Sequence, residues 1–348
     1  MITGTIKTEA GYRAIIMDSS SSLKDFSLDR KKYYRKYILS ESVEDKDTQA
    51  AVMGRVVETL LLEPELFDNR FYMSACASSP TGLMLEFVEA LYRATRDATD
   101  EYGNVTKSFE DMSKEAYVES GFKIKYEAVI GKFIGSDSEI FYNELRQVRA
   151  NNLTVVTVQD ITNAERIVED LKTNNVTKDI VNLVTSSRWE IRNQFQIEGY
   201  EVDDHSFKSM MDKIIIDHTE RTIQVYDLKC VWAVEGFYEE YYLYRRAYIQ
   251  AFLYYRAAND MAKEGELFGY FVYPPKFIVC DSTNYFNPLI YTLSVGDLTE
   301  AYNGFEHKGR QYPGVKELIS NLDWALSTNT WNMSRQNYMS NGLVPLKG

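Results

Sequence analysis

Asp212, within SFKSMMDKIIIDH, and the tripeptide Asp227-Leu228-Lys229, within RTIQVYDLKCVW, are the residues of this sequence whose types and spacing best suit chemistry. Both stretches mix β-branched and aromatic residues in partial alternation, which predicts strands over 206–218 and 221–232. A tight turn centred on Thr219 and Glu220 sets the two aspartates directly opposite on neighbouring antiparallel strands, with Cβ atoms roughly 4.5–5.5 Å apart. Like charges so placed repel, and a divalent cation is the natural counter-ion. Lys229 follows Asp227 by two residues and shares its sheet face. Two carboxylates and a lysine on one face suit metal-assisted hydrolysis of a phosphodiester. The metal polarises a phosphoryl oxygen and lowers the pKa of its bound water, while the lysine orients water or neutralises developing charge. The competing reading is an ordinary strand end facing solvent, because a D-x-K tripeptide alone arises often by chance.

Two further groups bear on the choice. Glu58 interrupts the apolar run VVETLLL, where an ionised carboxylate needs either a solvent stripe, shared with Arg55, or a partner. Gln250 and Tyr254 in YIQAFLYY lie one helical turn apart and share a face, as packing residues also do.

The elements that must carry these residues are legible in the pattern. In VEDKDTQAAVMGRVVETLLLEPELF (43–67), Ala51, Val52, Val56, Val57, Leu60 and Leu61 recur at helical spacing, and Pro64 marks the stop. The serine run Ser19–Ser22 signals a helix start before LKDFSLDRKKYYRKYIL. Residues 1–18 show little pattern and predict a strand or irregular arm, whereas 68–185 read mostly as helices broken by polar turns. One of these, 159–174, is amphipathic through Ile161, Ala164, Ile167, Val168 and Leu171. A strand meander from 193 to 232 follows, then a long tyrosine-rich helix over 235–262, strands over 269–281 and a helix over 314–326. The order predicts an α/β fold, with α+β order along the chain: a central mixed sheet flanked by helices. The expected organisation is a single domain over 1–348, with a helical insertion at about 75–185 and a polar tail at about 329–348 that is expected to be mobile, the alternative being that Trp331, Met333 and Tyr338 dock on a neighbour.

Composition narrows the function. With 39 Lys and Arg against 51 Asp and Glu, the net charge of −12 excludes a generally basic binder and leaves room only for a local basic groove. Three cysteines far apart cannot supply a disulfide framework or a four-thiolate iron–sulfur cluster, and three histidines make a His-rich metal centre a poor fit. Any metal is expected on carboxylates, which favours Mg2+, with Mn2+ as the substitute. No long apolar run and no leader pattern are present, so a cytoplasmic protein with no membrane contact is expected.

The order of these motifs resembles the RecE-type exonucleases of the PD-(D/E)XK nuclease superfamily, close to the RecB-type nuclease domains, from about residue 15 to about 260. Ser19, Ser21, Leu23 and Tyr33 match the serine-x-serine-x-leucine opening and its following tyrosine. GRVVETLLLEPELF (54–67) matches the glycine, the metal-ligand position four residues on and the leucine run ending in glutamate-proline. Asp212, Asp227, Lys229, Gln250 and Tyr254 fall on the later motifs. Two departures stand out: Glu58 occupies a position that is usually histidine in RecE-type sequences, and Met210-Met211 precede the first aspartate where arginine-proline is common.

The resemblance implies a Mg2+-dependent exonuclease that digests one strand of linear double-stranded DNA 5′ to 3′ in phage-type recombination. It implies Glu58, Asp212 and Asp227 as metal ligands, with the Leu228 backbone carbonyl as an extra oxygen and no iron–sulfur cluster. Lys229 then assists the attacking water, and Gln250 and Tyr254 brace the site. It further implies a homo-oligomeric ring, a single-strand annealing protein as partner, and a bacterial host cytoplasm if the chain is phage-encoded. A structure-selective endonuclease and a catalytically silent DNA-binding protein of the same fold are the alternatives. For phosphate contact the best candidates are Arg30, Lys31, Lys32, Arg35 and Lys36 in RKKYYRKY, with Ser19 and Ser21 seating a terminal phosphate. The competing reading of that run is a solvated helix face.

Overall fold

The computed structural model describes residues 9–41, 48–76, 78–149 and 153–344. Residues 1–8 of the expected arm, 43–47 of the expected helix 43–67, 77 and 150–152 of the expected helical stretch, and 345–348 of the tail lie outside the described residues. Two compact units are formed, and each is described by itself. One comprises the described residues of Asp47–Leu171 and Asp281–Phe286; the other those of Met1–Lys46, Lys172–Cys280 and Asn287–Gly348.

In the first unit the helix Gln49–Leu62 starts at Thr48, whose hydroxyl accepts the Ala51 amide proton, and stops just before Pro64. Glu58 is half-buried on it, between the buried Val57 and Thr59. Further helices follow at Gly82–Asp97, Phe109–Ser120, Tyr126–Phe133 and Asp137–Val148, around a core that includes Phe87, Leu91, Phe133 and Leu145. A short parallel pair, β1 (Phe71–Met73) with β2 (Thr154–Val156), is an addition to the mostly helical reading of this stretch. The amphipathic segment forms the helix Val158–Thr173.

The second unit is built on a mixed sheet flanked by helices, as the α/β reading requires. Its strands are β3 (Trp189–Val202), β4 (His205–Asp217), β5 (Thr222–Val231), β6 (Phe271–Val272), β7 (Lys276–Asp281) and β8 (Leu289–Thr292). They lie in the order β3-β4-β5-β7-β8, with β6 parallel to β5. β3 and β4 are joined through Asp203 and Asp204, both at positive φ (50° and 64°), the backbone a two-residue hairpin turn demands. β4 and β5 close at Asp217 opposite Thr222, where the Asp217 carboxylate accepts the amide protons of Thr219 and Glu220. The turn is therefore centred where the sequence places it.

On one sheet face, Ile214 and Ile216 of β4 and their partners Val225 and Ile223 of β5 are buried in the core. The helix Ala247–Met261, buried on nearly every side, packs against β3, β4 and β5. Each such buried aliphatic side chain contributes about 1.5–3 kcal/mol. The expected single helix over 235–262 is corrected here. A π-helical stretch spans Tyr238–Tyr244, and Arg246, at φ +58°, then precedes the α-helix. The guanidinium of Arg246 bonds the Ser27 hydroxyl, and Gln250 of the following helix reaches Asp227 of β5.

The tail also departs from expectation. Trp331 is buried, stacked at 5.8 Å on Tyr33 and 5.1 Å on Tyr34, and Tyr338 of the short helix Arg335–Met339 meets Trp324 edge-on. Aromatic side chains that find rings to stack on dock, whatever the polarity of their neighbours.

His205 at the start of β4 ties three segments together. Its ring nitrogens lie 2.9 Å from Asp18 and 2.9 Å from Asp323, and Asp18 also accepts from the hydroxyls of Ser22 and Tyr33. The hydrogen bond to Asp18 raises the His205 pKa against the opposing effect of burial. Asp18 is depressed: burial pushes it up, but its bonds from His205 and Ser22 outweigh that. A histidine with a raised folded pKa stabilises fully below its unfolded value, about 6.5, and loses that contribution as pH rises through the folded value. Asp18 contributes above its unfolded pKa and is lost as pH falls further. The protein is therefore expected to melt higher at pH 6 than at pH 8, by on the order of 1 kcal/mol in stability. Calorimetry of wild type and His205→Gln checks this: the variant should lose most of the difference, and an equal slope in both contradicts the assignment.

Candidate active site

The β4–β5 ladder ends at Lys213 opposite Tyr226, so Asp212 and Asp227 are the next residues beyond it. That register, continued by one residue, sets the two aspartates opposite each other, and Oδ2 of Asp212 accepts the amide proton of Leu228 at 2.7 Å. On the other side, β3 pairs Asn193 with Lys213 and Phe195 with Met211, and the intervening Gln194 stands at φ +46°. Left-handed backbone at a non-glycine residue costs about 1–2 kcal/mol, and such strain is concentrated at functional sites. Asp212 thus sits within β4, between β3 and the last pair of β4 with β5.

Asp227 is almost wholly buried, at 1% exposure, and Asp212 is at 8%. Oδ1 of Asp227 accepts from Nε2 of Gln250 at 2.7 Å. Oδ2 lies 2.5 Å from the Lys229 ammonium and has no hydrogen-bond partner of good geometry. The same Gln250 nitrogen donates to the Tyr254 oxygen at 2.9 Å, and the Tyr254 hydroxyl donates to the Met210 carbonyl at 2.5 Å. Burial first, then the charges of Asp227 and Asp212, push the Tyr254 pKa well above its ordinary value. Tyr254 therefore acts as a protonated donor and not as a base. Gln250 and Tyr254 of the helix are thus linked by hydrogen bonds to Asp227 and to the Met210 backbone, with Lys229 paired to Asp227 and Asp212 bonded to the Leu228 amide.

A hard divalent cation fits these groups. Two carboxylates lie on neighbouring strands, and the buried Oδ2 of Asp227 carries no hydrogen bond although it is ion-paired with Lys229; carboxylate oxygens are the donors Mg2+ and Mn2+ prefer. Among the described residues no group of three or more His, Cys, Asp or Glu side chains is gathered to hold a metal. Mg2+ commonly binds through one or two carboxylates, with waters and substrate phosphates completing the shell. Glu58 belongs to the other unit, on the helix Gln49–Leu62.

The expected DNA-contacting residues are placed as follows. Ser19 caps the helix Ser20–Leu28, its oxygen accepting the Ser22 amide proton, while Ser21 is exposed. Lys32 and Lys36 reach Asp25 at 2.9 and 3.6 Å, and Arg35 reaches Glu41 at 2.5 Å. Arg30 stacks over Phe26, and Lys31 is exposed. The three tyrosines of the run turn inward: Tyr33 is buried, and Tyr34 and Tyr37 pack against the same core. The run is therefore a helix face with much of its charge balanced locally, and its rings are committed to packing rather than to bases.

Sequence reasoning missed Lys24, on the helix Ser20–Leu28, whose ammonium lies 3.4 Å from Oε1 of Gln250. Burial, and next the charge of Lys229, lower its pKa to about 8 against the opposing pull of Asp227 and Asp25. A lysine inside the apolar-periodic stretch LKDF was the available signal. Gln194 carried none, since its residue type does not announce positive φ.

No protein-family model matches the chain, and no curated protein matches it. Among solved structures, the chain is similar to a Eubacterium rectale protein described as "Putative exonuclease", at 12% identity and a TM-score of 0.47, over 99% of this chain and 96% of that one. Likeness at that level carries nothing about chemistry, and the site stands on its own geometry.

Proposed function

We propose that the protein is a divalent-metal-dependent DNA nuclease, an exonuclease that hydrolyses phosphodiesters of linear double-stranded DNA, 5′ to 3′. The observation that supports it most is Asp227, a buried carboxylate with one oxygen anchored by Gln250 and the other facing the Lys229 ammonium beside Asp212. Two buried carboxylates on neighbouring strands serve packing poorly and serve a cation well. In this reading Asp212 and Asp227 hold Mg2+ or Mn2+, with the Leu228 carbonyl and, from the resemblance alone, Glu58 as further oxygens. When bound, the cation supplies Lewis-acid polarisation of the phosphate and water activation.

The chain's own side chains do the rest. Lys229, partly exposed on the face of Asp227, is placed to neutralise charge that develops on the scissile phosphate or to orient the attacking water. Gln250 fixes the rotamer of Asp227, and Tyr254 fixes Gln250 and the Met210 backbone beside Asp212. Duplex DNA approaches against a net charge of −12, so binding relies on local cations such as Lys31 and Lys229 and should weaken with salt. A homo-oligomeric ring, a single-strand annealing partner and action in a host cytoplasm complete the proposal. Among the described residues, no helix is long and apolar enough to cross a membrane.

The test is a time course on 5′- and 3′-labelled linear duplex with Mg2+. Loss of the 5′ label as mononucleotide, survival of covalently closed circles and complete arrest by EDTA are expected. Cutting of closed circles would favour the endonuclease, and no cleavage with Mg2+ or Mn2+ would favour the silent binder.

A further inference from the structure

Gln250 owes its usefulness to the direction in which its amide faces, and Lys24 is the group at the other end of that amide. An ammonium has three donors and no acceptor, so the atom 3.4 Å from it is the carbonyl Oε1. Nε2 then faces Asp227 Oδ1 at 2.7 Å and the Tyr254 oxygen at 2.9 Å. Tyr254 spends its own proton on the Met210 carbonyl, which leaves its oxygen an acceptor for Gln250. The donors thus run in one direction, from the Lys24 ammonium through the Gln250 amide, which branches to the Asp227 carboxylate and, by way of Tyr254, to the Met210 carbonyl.

Take the ammonium away and Oε1 becomes an acceptor without that partner in a residue only 8% exposed. A buried acceptor stripped of its donor is costly, and the amide torsion of glutamine is broad enough to swing toward water. Asp227 then loses its anchor. Burial and the like charge of Lys229 disfavour the Lys24 ammonium, while Asp227 and Asp25 favour it.

We propose that Lys24 is a positioning residue of this site: it holds the Gln250 amide in the orientation that anchors Asp227. What the anchored carboxylate does rests on the nuclease reading; the anchoring itself does not.

Two measurements test it in the full-length protein. The first follows solvent exchange of the Gln250 side-chain amide protons by NMR with 15N-glutamine labelling. Lys24→Met should speed exchange about tenfold or more, while Lys24→Arg, which keeps the donors, should stay within about threefold of wild type. The second is a double-mutant cycle on linear duplex with Mg2+. Lys24→Met should lower kcat about tenfold or more with KM changed less than about threefold, and Lys24→Met/Gln250→Ala should be no slower than Gln250→Ala. An amide as protected in Lys24→Met as in wild type, or effects that multiply in the double variant, would overturn the proposal. Should Lys24→Met not fold, Lys24→Arg decides: retained protection supports it and lost protection overturns it. If the wild type cleaves no DNA, the nuclease reading falls and the exchange measurement still decides the role of Lys24.

Discussion

Asp227→Asn should lower turnover of linear duplex DNA by a factor of about 10³ or more and leave the melting temperature unchanged or raised. Asparagine keeps the shape and can still accept from Gln250, but its other end presents an amide donor to the Lys229 ammonium in place of a carboxylate oxygen. The cation loses its best-buried ligand at once. Stability follows the opposite logic. Removing one of two neighbouring buried carboxylates relieves their repulsion, and Lys229, 26% exposed, can turn its head to water. Activity lost with stability kept or gained is the signature of a group retained for function. Single-turnover cleavage and scanning calorimetry on the same preparation check both halves. An active variant, or an inactive one that melts many degrees lower, would contradict the assignment.

Lys229→Met should slow kcat on linear duplex by about 10²-fold or more while changing DNA affinity less than about threefold. The methionine keeps the stem and removes the charge, so the loss isolates what the ammonium does near the reacting phosphate. Binding of the duplex draws on many phosphate contacts and should tolerate the loss of one. Arginine should not rescue, since its planar fork cannot occupy the position of an ammonium 2.5 Å from Asp227. Full turnover by Lys229→Met would remove it from the chemistry, and a loss confined to affinity would make it a DNA contact only.

Local patterning carried the strands, their turn and the helical spacing of Gln250 and Tyr254, because alternation and one-turn separation are written in adjacent residues. The register of β4 on β5 was legible for the same reason: a hairpin turn sets it. Three kinds of feature were not. Long-range partners leave no local trace, as with Lys24 meeting Gln250 or Trp331 stacking on Tyr33 and Tyr34. Backbone exceptions at ordinary residues are equally silent, as at Gln194 and Arg246, where only the surrounding structure imposes positive φ. Charge runs mislead because their partners lie elsewhere: Asp25, on the preceding helix, answers both Lys32 and Lys36. Within the site, the side chains that patterning singled out on β4, β5 and Ala247–Met261 converge, while the hydrogen bond from the Leu228 amide to Asp212 belongs to tertiary structure alone.

Anomalous diffraction from crystals soaked in Mn2+ tests the central claim most directly. A strong peak is expected against the carboxylate oxygens of Asp212 and Asp227, absent from Asp227→Asn crystals treated in the same way. Manganese bound only elsewhere, with nothing between those two side chains in the wild type, would contradict it.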